Sequence, residues 1–120
     1  MTKTKAVDKL FHAMADPTRR EIVQILSDEG KQSASMIYER FNMSEPAISQ
    51  HLKVLRDARL VNVEKKAKYR LYAVNKAAIL EIENWTANVK RMLEENFRSL
   101  DDILRAQKQK EENGVEKSGK

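Results

Sequence analysis

Between residues 42 and 75 the apolar pattern changes its period, and that change constrains the fold more than any other feature. Ser44 is a good helix N-cap, and Pro46 falls in the first turn after it, where a missing N–H is tolerated. Ile48, Leu52 and Leu55 then recur at helical spacing on one face. Glu45, Ser49, Gln50, Lys53 and Arg56 lie on or near the other face. From Leu60 the period becomes two. Leu60, Val61 and Val63 alternate with polar residues, and Tyr69, Leu71 and Ala73 alternate with Arg70, Tyr72 and Val74. This reads as two short strands joined by a basic tip, Lys65-Lys66-Ala67-Lys68, whose turn type stays open because no Asn-Gly or Gly-Gly marks it.

Three helices precede this pair of patterns. Val7, Leu10, Phe11 and Met14 follow the i, i+3, i+4, i+7 spacing of a one-sided helix. Asp16-Pro17 starts a second, with Asp as N-cap and Pro at the first helical position. It carries Ile22, Val23, Ile25 and Leu26 and stops near Gly30. Ser33 or Ser35 caps a short third helix with Ile37, Tyr38 and Phe41.

After the strands a long helix is expected from Lys76 to about Ala106. Its stripe is Ile79, Ile82, Trp85, Val89, Leu93, Phe97, Leu100 and Leu104. At 1.5 Å per residue it would be roughly 45 Å long, more than a small core can cover. A second copy of the chain is the most economical partner for the remainder. A broken helix folded back on its own domain is the alternative. Residues 107–120, with Gly114 and Gly119 among Lys and Glu, read as a flexible polar tail. The division expected is therefore 1–75, 76–106 and 107–120.

The charge is concentrated where the period changes. The 120 residues carry a net charge of +5. Residues 1–75 hold 14 Lys/Arg against 9 Asp/Glu, while residues 76–120 hold 9 of each. The stretch from Lys53 to Arg70 is alone net +5: Lys53, Arg56, Arg59, Lys65, Lys66, Lys68 and Arg70 are opposed by Asp57 and Glu64. A local basic excess suits a polyanion, because each neutralised phosphate releases condensed counterions.

Other classes are excluded or unsupported. With no Cys, the chain has no disulfide framework, thiolate metal site or cysteine nucleophile. No Gly-rich phosphate loop, His pair at metal spacing or nucleophile–base arrangement is present, so no enzyme and no cofactor are expected. No apolar run reaches membrane length, so no membrane partner is expected. The basic Met1–Lys5 is followed by no apolar region of a secretory signal, and a cytoplasmic location is expected.

The expected fold is mainly α: helix, helix, short helix, capped helix, two-stranded hairpin, long helix. A short helix, a turn and a capped helix with a polar outer face form a helix-turn-helix, and the basic hairpin after it is a wing. The fourth helix suits the major groove, and the hairpin can reach neighbouring phosphates.

At these residues the chain resembles the ArsR-type winged-helix repressors. Ala15-Asp16-Pro17-Thr18-Arg19-Arg20-Glu21-Ile22 is similar to that family's opening "L-x-D-x-T-R-x-x-I-L". The run from Ser44 to Val61 is close to its recognition-helix signature, "S-Q-P-x-V-S-x-H-L-x-x-L-R-x-A-G-L-V". Lys68 to Asn75 resembles its second wing strand. The resemblance spans about residues 6–106. It implies a homodimeric regulator, usually a repressor, whose first and last helices form the dimer interface. Here those would present Val7, Leu10 and Phe11, then Trp85, Val89, Leu93, Phe97, Leu100 and Leu104.

Three departures stand out. Arg59 occupies the position of the usual Gly after the recognition helix, and Ala67 that of the wing-tip Gly. The Cys-x-Cys pair of metal-sensing members is missing, and the last helix has no His. The chain therefore looks like the subgroup without metal sites, and no metal ligand is expected. Any small-molecule effector is unknown.

Individual residues keep two readings. Ser49 and Gln50 face outward where base edges would lie, or form a solvated face. Glu45 accepts from a cytosine amino group, or favours the positive helix N-terminus. Ser44 and Pro46 open the same helix at the DNA. Lys53, Arg56, Lys65, Lys66, Lys68 and Arg70 are expected on phosphates more than bases. His51 is expected as a structural side chain bonded to a backbone or phosphate oxygen. Arg19 and Arg20 either touch DNA backbone or pair with Glu21 or Asp16. Trp85 packs at the core or dimer seam. The expected function is a homodimeric, sequence-specific DNA-binding regulator, a repressor occupying an inverted-repeat operator through helix 44–58 and wing 64–70. The alternative is a winged-helix module docking an acidic protein partner. Such an interface would place aromatic or Met anchors on residues 45–53, and none is there.

Overall fold

A computed structural model describes residues 2–118, with side chains described from 5 to 112. The element order is α1 (Thr2–Met14), α2 (Pro17–Glu29), β1 (Gln32–Ser33), α3 (Ala34–Glu39), α4 (Glu45–Asp57), β2 (Val61–Lys66), β3 (Tyr69–Val74) and α5 (Lys76–Ser118). The chain divides into two compact units, 1–83 and 84–120.

In the first unit each helix start follows from its cap. Asp16 accepts from the Arg19 N–H, Ser33 from Met36, and Ser44 from Ala47. The apolar faces so aligned meet in one core. Ile22, Val23 and Leu26 of α2, Ile37 of α3, and Ile48, Leu52 and Leu55 of α4 are buried there, with Leu60, Val61 and Tyr72 from the hairpin. Ile79 and Ile82, early in α5, pack against the same core.

The wing is a three-stranded antiparallel sheet in the order β1-β3-β2, one strand more than expected. Gln32 pairs with Tyr72 and Ser33 with Leu71 along the second edge of β3. Two polar residues carry no period-two signal. They are strand because β3 offers them backbone partners, and both are buried by that pairing.

The two positions where Arg59 and Ala67 stand for the resembled family's usual Gly both have positive φ. Arg59 has φ 64° and Ala67 has φ 55°. At the end of α4 the Leu60 N–H bonds the Leu55 carbonyl at 3.0 Å and the Arg59 N–H bonds that of Arg56 at 2.9 Å. This pair of bonds is a Schellman motif, and Leu55 and Leu60 are both fully buried beside it. In the wing, Lys66 pairs with Tyr69 across a two-residue loop whose first residue, Ala67, alone has positive φ. That is the φ pattern of a type II′ turn. A side chain in this region costs about 1–2 kcal/mol, and glycine returns part of that through its freer unfolded state. Arg59→Gly and Ala67→Gly should each raise stability by about 0.5–1 kcal/mol, seen as a rise of several degrees in Tm. An unchanged or lowered Tm in both would contradict this reading of the turns.

The last helix is longer than expected. It has 43 residues and runs through 107–118, where a tail was expected. Ala106 to Glu112 contains only good helix formers, which carry the helix on past the apolar stripe. In the second unit Trp85, Met92, Leu93, Phe97, Leu100, Ile103 and Leu104 are all exposed, from 48% at Trp85 and Leu100 to 66% at Phe97. Val89 is half-buried. On α1, Val7 and Leu10 are buried within the chain's own core, and Phe11 is half-buried. Val7 and Leu10, expected in the dimer interface, thus pack inside one copy, while Phe11 keeps part of its surface open.

Candidate nucleic-acid interface

The helix-turn-helix is held by a bracket built on Arg19. Its Nε donates to the Ala13 carbonyl at 2.7 Å and its Nη2 to the His12 carbonyl at 3.1 Å. Arg20 donates through Nη1 to the Met14 carbonyl at 2.8 Å. The last carbonyls of a helix have no partner inside it, so these two guanidinium groups cap α1 from the first turn of α2. The pairing of Arg19 with Asp16 is met through charge, and the α1 carbonyls are partners that neither reading named.

The bracket extends to the recognition helix. Arg19 Nη1 lies 3.3 Å from His51 Nδ1, and Asp16 Oδ2 lies 3.8 Å from the same nitrogen. In its neutral form the ring accepts here, which places its proton on Nε2. His51 is thus structural, as expected, but its partner is a side chain of α2 and no backbone oxygen. Asp16 is held below the usual carboxylate range, first by the hydrogen bond from the Arg19 backbone N–H and then by the nearby His51 and Arg19 charges, with burial opposing them. A lowered carboxyl pKa stabilises the fold above the ordinary aspartate range, and the contribution is lost as pH falls through the folded value.

With α4 so placed, its outer face is polar and open. Ser44, Glu45, Pro46, Ser49, Gln50, Lys53 and Arg56 are all exposed. The wing residues Lys65, Lys66, Lys68 and Arg70 are exposed as well. Lys68 Nζ sits 5.6 Å from the centre of the Tyr69 ring. Glu64 is taken up by Lys31 at 3.0 Å, which holds its carboxyl below the ordinary value by that hydrogen bond and charge, with Lys66 adding to it. One of the two acidic residues in the basic stretch is thereby neutralised from outside it. The other, Asp57, lies 3.3 Å from Arg56.

One residue of this surface escaped sequence reasoning. Tyr38 of α3 places its hydroxyl 2.7 Å from Ser49 Oγ on α4. In the sequence Tyr38 stands only as one residue of the short third helix with Ile37 and Phe41, and its position across the turn reveals its polar end. Among the described residues no three or more His, Asp or Glu side chains converge where a metal could sit. No described helix is long and apolar enough to cross a membrane.

Comparison with known proteins bears on this arrangement. Residues 16–63, from the Asp16 cap to the first wing strand, match the profile of the bacterial regulatory proteins of the arsR family. The transcriptional repressor SdpR of Bacillus subtilis is 35% identical over 82 residues, covering 68% of this chain and 90% of that protein. The chain belongs to the arsR family. Arsenical resistance operon repressors also match, that of Staphylococcus xylosus at 34% identity over 59% of this chain and 67% of its own length. Among solved structures, an ArsR family transcriptional regulator shares 28% identity at a TM-score of 0.70, covering 76% of this chain and 93% of that one. An ArsR-like regulator from Rhodococcus sp. RHA1 has a TM-score of 0.76 over 86% of this chain at 24% identity, a likeness of fold. As an arsR-family member with a winged helix-turn-helix, the protein is a DNA-binding transcriptional regulator and not an enzyme.

Proposed function

We propose that the protein is a homodimeric repressor that occupies an inverted-repeat operator, with α4 in the major groove and the wing on adjacent backbone. The supporting observation is the continuous exposed face of α4 and the wing, polar on the helix and cationic from Lys53 to Arg70. The major groove admits an α-helix and offers a distinct pattern for each base pair. Gln50 is the reading residue, since its amide can bond adenine bidentately. Glu45 and Ser44 lie at the same end of the helix. Lys53, Arg56, Lys65, Lys66, Lys68 and Arg70 meet phosphates. Repression is taken from relatives such as SdpR, which is named a transcriptional repressor.

The partner copy is assigned to α5. Its apolar stripe exposes Trp85, Leu93, Phe97, Leu100 and Leu104 on one helix, more apolar surface in a row than single chains usually leave open. From Ile82 to Leu104 the stripe recurs every three or four residues, so it stays on one face of the helix. In this reading residues 1–75 bind DNA and α5 joins the copies.

Duplex binding should fall steeply with salt, with a log–log slope on the order of −6 to −10 for about that many phosphates. Gln50→Ala should relax preference at one base position of each half-site. Lys66→Ala should weaken all duplexes alike and reduce the salt slope by about 1. Binding assays on duplexes varied at single base pairs separate the two. Equal, uniform losses from both substitutions would overturn the assignment of Gln50.

A further inference from the structure

Between α3, α4 and β3 the surface folds into a notch of about 200 Å³. Tyr38, Ser49, Lys53, Arg56 and Arg70 line it, and the buried ring of Tyr72 is also part of its wall. No carboxylate lines the notch. Among the described residues Lys53 and Arg70 have no acidic partner, while Arg56 has only the exposed Asp57.

We propose that this notch seats one backbone phosphate of the bound duplex, with Lys53 and Arg70 supplying charge and the Tyr38–Ser49 hydroxyl pair supplying a neutral donor. The inference rests on the DNA reading above and names what one part of that surface holds. A phosphate oxygen only accepts hydrogen bonds, so its seat must be built from donors. Whichever hydroxyl donates within the Tyr38–Ser49 pair, the other keeps its own hydrogen free. The pair therefore presents a single spare O–H beside the two cations. A Ser49 held by tyrosine no longer rotates freely to suit a base edge. Its role moves from base reading to backbone, and base reading falls to Gln50 and Glu45. Tyr38 thereby joins the interface from outside the recognition helix and the wing.

The experiment uses the full chain and a duplex recovered by its own selection from random DNA. Single phosphates are replaced in turn by neutral methylphosphonates, and each modified duplex is titrated with the parent protein, Tyr38→Phe, Ser49→Ala and Arg70→Ala. The parent should lose about tenfold at one phosphate of each half-site. Tyr38→Phe and Ser49→Ala should bind the unmodified duplex about 3- to 10-fold more weakly without changing base preference. In both, and in Arg70→Ala, the penalty at that one phosphate should shrink while the penalties elsewhere persist. If every penalty is unchanged in all three variants, or if Ser49→Ala relaxes a base position, the proposal is overturned. A free phosphate ester is the other source of the same chemistry. Selective competition by inorganic phosphate against chloride at matched ionic strength, with no phosphate position depending on Tyr38 or Arg70, would assign the notch to it and overturn the backbone seat. Failure to retain any duplex would refute the DNA reading itself, a result distinct from duplex binding that ignores Tyr38.

Discussion

Exchanging both Phe97 and Leu100 for aspartate should yield a folded monomer that binds a full operator hardly better than a half-site. Both residues are exposed on the second unit, 66% and 48%, and neither contributes to the core of the first. The helix-turn-helix should therefore fold as before. Across a two-fold interface each new carboxylate would meet apolar surface, and burying an unpaired charge is costly enough to prevent association. Joining two half-site contacts in one particle typically raises apparent affinity 10²- to 10⁴-fold, and that is the loss expected. Sedimentation reads the assembly, and duplexes with one or two half-sites read the affinity. A double variant that remains a dimer with full operator affinity would remove α5 from the interface. The first helix is a weaker site for such a test, because Val7 and Leu10 are needed by the chain's own core.

The second large effect is expected at Arg19. Alanine there removes the bonds to the His12 and Ala13 carbonyls and the contact with His51. Hydrogen bonds from charged donors contribute about 1.5–3 kcal/mol; the Ala13 carbonyl at the end of α1 loses its cap, while that of His12 keeps the Ala15 N–H. A loss of about 2–3 kcal/mol follows, which for a domain of this size lowers Tm by roughly 10–20 °C. Arg20→Ala breaks one exposed bond and should cost under about 1 kcal/mol. Arg19→Lys should not restore stability, because a single ammonium cannot span three partners. Equal losses from Arg19→Ala and Arg20→Ala would show that the bracket does not tie α1 to α4.

Much of this was legible in the residues themselves. Asp16, Ser33 and Ser44 announce their helices because capping is a local interaction, readable three residues ahead. The change of period at Leu60 announces the wing for the same reason. What stayed hidden depends on partners distant in the chain. Gln32 and Ser33 become a strand only when β3 lies beside them. Arg19 finds carbonyls six and seven residues back because α1 and α2 meet at the turn between them. Tyr38 has its hydroxyl on Ser49, eleven residues on and across the turn. The positive φ of Arg59 and Ala67 was visible only as two missing glycines. The extension of α5 past Ala106 has good helix formers as far as Glu112 but no apolar stripe to signal it.

The most direct test of the central claim is selection of bound fragments from a pool of random duplex DNA, read by sequencing. A two-fold dimer using α4 as its reading helix should enrich an inverted repeat with half-site centres about one helical turn apart, roughly 34 Å. Retention with no shared sequence, or enrichment of a lone half-site with no inverted partner, would contradict it.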